Sequence, residues 1–389
     1  MAGIAIEATE WIERLIGFDT VSANPNMPLV EDVANYLDGF NIPAKLIPDD
    51  TGSKANLFAT IGADTDFAEG IVLSGHTDVV PVAGQPWDSD PFQMMEMNGR
   101  IYGRGSADMK GFIGCVLAMI PELAARNLSM PVHLALSYDE EVGCIGIRHL
   151  IGLIGTELPR PKLVIVGEPT GMNVFDAHKG ISQQSTTVTG LDAHSSRPGE
   201  GVNAVAFAAE IIGFISRLAL EYAAATHEDG RFDPPGTTFN IGTIEGGTAV
   251  NIIARECTFK WEFRPTPGTD PQAILKRVEA YIDSEILPRM HAVDRNASVR
   301  TTVNVTAPTL ESDSESLAVQ FVLRLAGANQ TGAASYVCEA GLFAEAGIPA
   351  VICGPGNIAQ AHKPNEFVDL RQINACSNFL SNLMDNLSN

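Results

Sequence analysis

Three short apolar runs in this chain each lead straight into acidic residues, the first by way of a histidine. IVLSGHTD runs into His76 and Asp78, HLALSYDEE into Asp139, Glu140 and Glu141, and LVIVGEPT into Glu168. Short runs rich in Val, Ile and Leu, without polar alternation, are the pattern of strands buried on both faces. Such strands belong to a parallel sheet covered by helices, and in open sheets of that kind functional residues gather beyond the carboxyl ends of the strands. The pattern therefore constrains both the fold and the place where a site can form.

Strand-like runs at residues 71–74, 132–137 and 163–166 alternate with helical spacing, as in GFIGCVLAMIPELAARN, over residues 1–180. From residue 181 the character changes. ISQQSTTVTG, TFNIGTIEGG, IIARECTFKWEFRP and SVRTTVNVTA alternate as half-buried strands do, and amphipathic segments at 204–223 and 271–290 separate them. This predicts one antiparallel sheet with two helices on a face. After about residue 306 the first pattern resumes, with a helix near 314–325, a strand at 350–353 and a last helix at 370–387. The chain of 389 residues is long for one core. The predicted fold is α/β: a mostly parallel-sheet catalytic domain, residues 1–180 and 300–389, interrupted by an α+β domain at 181–299.

Composition narrows the function. The net charge of −22 argues against a nucleic-acid partner, because phosphate contacts need an excess of Lys and Arg. No apolar run approaches the roughly 20 residues that span a bilayer, and MAGIAIEATEWIERLIGF has no basic stretch ahead of an apolar one, so neither a membrane segment nor a secretory signal is expected. Six scattered cysteines without CxxC spacing suggest reduced thiols and a cytoplasmic protein. Any metal must then be held by His and carboxylates. GRGSADMKG lacks the third glycine of a dinucleotide fingerprint, and neither a P-loop nor a GxSxG elbow is present. Cys338 and Cys353 are weak alternatives as nucleophiles, since buried thiols are common.

His76, Asp108, Glu141, Glu168 and His362 form the strongest constellation. Asp108 stands at a predicted helix start, and His362 follows the AVICGPG strand. Two ions about 3.5–4 Å apart need a shared carboxylate and further His and carboxylate ligands on each. The count is met with Asp108 as the bridge, His76 and Glu168 on one ion, and Glu141 and His362 on the other. Asp78 suits an outer role, its carboxylate accepting the second ring N–H of His76. Glu140, beside a ligand but not needed as one, suits a general base that moves a proton from water to the leaving amine. Taken singly, each residue has a bland alternative, such as a helix cap for Asp108. Together, at strand ends, they do not.

In this order SGHTDVVP, GRGSADMKG, DEEVG, VGEPT and AHKPNEF resemble the metal-dependent aminoacylase and carboxypeptidase family with two co-catalytic metals. The resemblance covers essentially the whole chain. It implies hydrolysis of a linear amide in a small-molecule N-acyl amino acid, with two divalent ions, zinc or cobalt, on the five ligands and Glu140 as acid/base. It also implies that residues 181–299 form a lid and the contact of a homodimer. GLDAHSSRPGEGVNA resembles the lid histidine motif, implying that His194 hydrogen-bonds the developing oxyanion from its own or the partner subunit. FKWEFRPTPG implies that Arg264 binds a substrate α-carboxylate, and GGTAVNIIA implies a polar contact from Asn251. The YVCEAGLF tail resembles deacetylases whose substrate carries an amine, which Glu339 would face; Cys338 stands where relatives carry Thr. Desuccinylases and dipeptidases on the same scaffold are the alternative. A metal-binding protein without catalysis is a third reading, against which Glu140 argues.

Overall fold

The computed structural model describes residues 2–62, 69–224 and 230–388. Two compact units emerge: Met1–Ala177 with Leu310–Ala333 and Cys338–Asn389, and His178–Thr309 with Ala334–Val337.

In the first unit, Ile71–His76 lies between Val132–Ser137 and Leu163–Val166, parallel to both, and Ala350–Ile352 adds a further parallel neighbour. Every residue of these four strands is buried. That burial is why their sequences are continuously apolar rather than alternating. Ala55–Ile61 and Ala44–Pro48 extend the sheet antiparallel beyond Val132–Ser137. The helices Ala2–Ile16, Lys110–Ala118 and Leu370–Leu387 pack on one another. Lys110–Ala118 is buried on all sides and therefore carries no polar stripe. The helical pattern that runs on past it is interrupted at Met119, ahead of Pro121, and resumes as Ile120–Ala125. Leu370–Leu387 buries Ile373, Cys376, Phe379, Leu380, Leu383, Met384 and Leu387 at helical spacing, and Asp369 caps it by accepting from the Arg371 N–H at 3.0 Å. A small sheet joins Met95–Met97, Arg100–Tyr102 and Phe367–Asp369, so the chain just after His362 is anchored to the segment just before Asp108.

In the second unit one antiparallel sheet runs in the order Thr238–Gly246, Glu256–Arg264, Ile181–Thr189, Ser298–Ala307. Val188, Phe259, Trp261 and Phe263 from its inner face pack with Ile211, Ile215, Ile274 and Val278 from the helices Ala204–Ala224 and Pro271–Tyr281. Two features correct the sequence reading. The return to the first unit lies at Leu310 rather than 300, because Ser298–Ala307 pairs along its length with Ile181–Thr189. The segment 271–290 is not one helix: Pro271–Tyr281 gives way to a wider π-type turn over Ile282–Ile286 and a last turn, Leu287–His291. Pro288, which has no N–H to donate, sits at that break.

Candidate metal centre

His76 is the last residue of its strand, and Glu168 stands two residues beyond the end of the neighbouring one. Register pairs Ser74 with Val166, so the ladder itself fixes how far apart the two side chains emerge. Gly167 allows the chain to bend toward Glu168 over the helix below: a Cβ there would sit 2.0 Å from Phe112 Cγ. Asp108 ends the turn before Lys110–Ala118; it does not cap that helix, whose first turn has no side-chain acceptor. Its carboxylate reaches sideways, Oδ1 at 2.9 Å from His76 Nε2 and Oδ2 at 3.4 Å from His362 Nε2.

Glu168 Oε1 lies 3.6 Å from His76 Nε2, and Glu141 Oε2 lies 2.9 Å from His362 Nε2. Two triads result, His76–Asp108–Glu168 and Asp108–Glu141–His362, each with donor atoms within 4.8 Å of one another and with Asp108 in both. His362 holds left-handed backbone, φ 63°, a conformation that costs a non-glycine residue on the order of 1–3 kcal/mol and gathers at functional sites.

The turn that carries Glu140 and Glu141 is fastened from below. Asp78 accepts the Glu140 N–H at 3.1 Å and the Glu141 N–H at 3.2 Å, and takes the Ser22 hydroxyl at 2.7 Å. The expectation that its carboxylate orients His76 needs correction. Nδ1 of His76 donates to the backbone carbonyl of Asp78 at 2.9 Å, while the nearest carboxylate oxygen is 3.6 Å away. Asp78 thus holds the acidic turn with its side chain and the imidazole with its main chain. Asp139, left-handed at φ 55°, is tied by an ion pair of 2.5 Å to Lys54. Glu140 is buried, and its Oε1 accepts the Cys144 S–H at 3.3 Å.

Charge is concentrated here. Burial pushes the Glu140 and Glu168 carboxyls well above their usual range, with Asp108 and Glu141 adding repulsion in both cases. Burial and the Asp108 charge raise Glu141 to about 7. Burial works against the charged form of His76, but the hydrogen bond to Asp108, the nearby Asp78 carboxylate and the charges of Glu140 and Glu168 outweigh it and raise its pKa. Hydrogen bonds to Asp108 and Glu141 lift His362 to about 10. Asp108 is held low against its burial by the two imidazoles. Four carboxylates in one buried place are costly unless cations neutralise them. Nitrogen and oxygen donors without thiolate suit zinc, cobalt or manganese, so the residues fit a pair of divalent ions.

The other expected site residues belong to neither triad. Glu339 is buried, with Oε2 taking the Ser74 hydroxyl at 3.1 Å and Oε1 the Ser137 hydroxyl. Burial pushes the Cys353 thiol up to about 12 and Cys338 well above its usual range, which disfavours the thiolate at both. His194, Asn251 and Arg264 belong to the second unit. There the exposed His194 Nδ1 lies 2.8 Å from Ser196 Oγ, the Asn251 carbonyl accepts the Ser195 N–H at 3.1 Å, and Arg264 Nε donates to Glu262 at 3.1 Å. Ser22, Lys54, Arg104 and Glu366 were missed by sequence spacing, although a charged Arg104 enclosed by glycines was a usable signal.

The family model described as peptidase family M20/M25/M40 matches residues 72–386. The chain is 34% identical over 380 residues to an acetylornithine deacetylase of Myxococcus xanthus, covering 97% of this chain and 96% of that one. It is 32% identical over 385 residues to that of Proteus mirabilis, with the same coverage. Its fold matches the metallo-carboxypeptidase Sso-CP2 of Sulfolobus solfataricus with a TM-score of 0.77, at 18% identity over 97% of this chain and 98% of that one. The chain belongs to peptidase family M20/M25/M40 and is a hydrolase of amide bonds. Among the described residues, no helix is long and apolar enough to cross a membrane.

Proposed function

We propose that this chain removes the acetyl group from N2-acetyl-L-ornithine, releasing L-ornithine and acetate, with two divalent ions, zinc or cobalt, held by His76, Asp108, Glu141, Glu168 and His362. The observation that carries the chemistry is the pair of triads sharing Asp108, with Glu140 buried beside them and not a member of either. The substrate assignment is supported by the near full-length similarity to acetylornithine deacetylases.

Bound there, the ions supply Lewis acidity to the amide carbonyl and to the attacking water. Glu140 takes a proton from that water and hands it to the leaving nitrogen, a task that suits a carboxyl whose pKa burial has raised. Asp78 keeps Glu140 and Glu141 side by side, so base and ligand hold their spacing through the reaction. His194 hydrogen-bonds the oxyanion, Arg264 receives the α-carboxylate, and Asn251 adds a polar contact. Glu339, which the Ser74 and Ser137 hydroxyls hold in place, faces the amine of the substrate side chain with its remaining acceptor capacity. The second unit acts as lid and dimer contact. This is supported by apolar side chains it leaves open, Val250, Ile252 and Ile244. Six free, buried cysteines support a cytoplasmic setting.

The test is turnover of purified, metal-loaded protein on acetylornithine, N-succinyl-diaminopimelate and simple dipeptides. Acetylornithine is expected to give the highest kcat/KM. Activity confined to a succinylated substrate or a dipeptide would replace the substrate and keep the site, and sedimentation of the same sample checks the dimer.

A further inference from the structure

The two triads are built with unequal stiffness. His76 and Glu168 emerge from paired parallel strands. His362 comes from a loop outside any strand or helix, half exposed and left-handed. Something other than a sheet must set its distance from Asp108.

Glu366 and Arg104 are both 1% exposed and form an ion pair at 2.7 Å. Glu366 Oε1 accepts the backbone N–H of Ala107 at 2.9 Å and of Asp108 at 3.1 Å, gripping the segment that presents the shared carboxylate. Arg104 Nη1 also donates to the Lys363 carbonyl at 3.2 Å, and Nη2 to Gln85 Oε1 at 2.5 Å. Gln85 Nε2 then donates to the His362 carbonyl at 2.9 Å. The indole of Trp87 lies against the guanidinium, 5.0 Å from ring centroid to Cζ. The chain of contacts thus closes from the backbone of Asp108, through Glu366, Arg104 and Gln85, to the backbone of His362. A planar guanidinium is the one side chain that can serve a carboxylate, a carbonyl and an amide at fixed angles.

We propose that Glu366, Arg104 and Gln85 are positioning residues that set the spacing of Asp108 and His362, and so govern occupancy of the ion held by Asp108, Glu141 and His362 while leaving the His76–Asp108–Glu168 ion to the sheet. The inference rests on the two-ion reading of the site.

The test titrates metal-depleted full-length protein with Co2+, followed by calorimetry and by visible absorption. Wild type is expected to take two ions. Glu366→Gln turns an amide N–H2 toward either Arg104 or the two backbone donors, and is expected to keep one ion at wild-type affinity and to bind the second about 10–100-fold more weakly, the usual cost of losing an outer partner. Its one-ion spectrum is expected to match that of His362→Ala with one equivalent bound. Gln85→Ala removes only the half-buried end of the relay and is expected to weaken the second ion to a smaller degree; it decides the matter alone if Glu366→Gln does not fold. Two ions bound as in wild type, or equal losses at both positions, would overturn the proposal. A wild type that takes fewer than two ions would instead overturn the two-ion reading beneath it.

Discussion

Adjacent glutamates, Glu140 and Glu141, are assigned opposite duties, and replacing each by glutamine separates them. Glu140→Gln keeps shape and volume, and the amide oxygen can still accept the Cys144 S–H that Oε1 now takes at 3.3 Å. The backbone N–H groups that Asp78 holds are unchanged by either substitution. What Glu140→Gln removes is the capacity to accept a proton. General acid–base groups contribute about 10²–10⁴-fold, so kcat is expected to fall by that factor, about 2.7–5.4 kcal/mol of barrier. Metal content is expected to stay at two ions per chain, because Glu140 belongs to neither triad. Glu141→Gln instead removes the charged partner that stands 2.9 Å from His362, and is expected to lose the ion shared by Asp108, Glu141 and His362. The assay pairs elemental analysis with steady-state kinetics on the same preparations. A Glu140→Gln protein within tenfold of wild-type kcat, or one that has lost an ion, would refute this division of labour.

Stability of the metal-depleted protein is expected to fall as pH rises. Glu141, lifted from 4.5 to about 7, binds more proton folded than unfolded between those values, and His362, lifted from 6.5 to about 10, does so across the next window. Ions need the deprotonated ligands, so the rise in Tm on adding Zn2+ is expected to grow from pH 5.5 to pH 9; a constant shift would count against the site. Gly167→Ala drives a methyl to within 2.0 Å of the Phe112 ring and is expected to cost at least about 1–3 kcal/mol in urea unfolding, with Glu168 displaced and metal affinity reduced. Wild-type stability in that variant would show that the helix yields freely. Arg264→Lys keeps the charge but loses the planar fork; a several-fold rise in KM with unchanged metal content is expected, and an unchanged KM would remove Arg264 from substrate binding.

What could be read from the chain in advance followed physical range. Buried parallel strands announce themselves by continuous apolar runs, and residues just past their ends must lie along one edge of the sheet. His76, the 139–141 turn and Glu168 were therefore visible without coordinates. Asp78 was visible as a residue of the site but not in its contacts. Whether a side chain or a main-chain oxygen meets an imidazole two residues back depends on a turn that spacing does not specify. The boundary near residue 300 slipped because an alternating strand reads alike in either unit, and only its partner Ile181–Thr189 decides the matter. The serine contacts of Glu339 were equally out of reach of spacing. An acid in a short apolar segment suggests a ligand contact, and here two serines, Ser74 and Ser137, from neighbouring strands hold it in place. The pair Arg104 and Glu366, 262 positions apart, leaves no periodic trace at all. Its logic is electrostatic. A site that gathers four carboxylates needs its scaffold charges neutralised where the ions do not reach, and a buried guanidinium does this for Glu366 while leaving Asp108 free to face the two histidines.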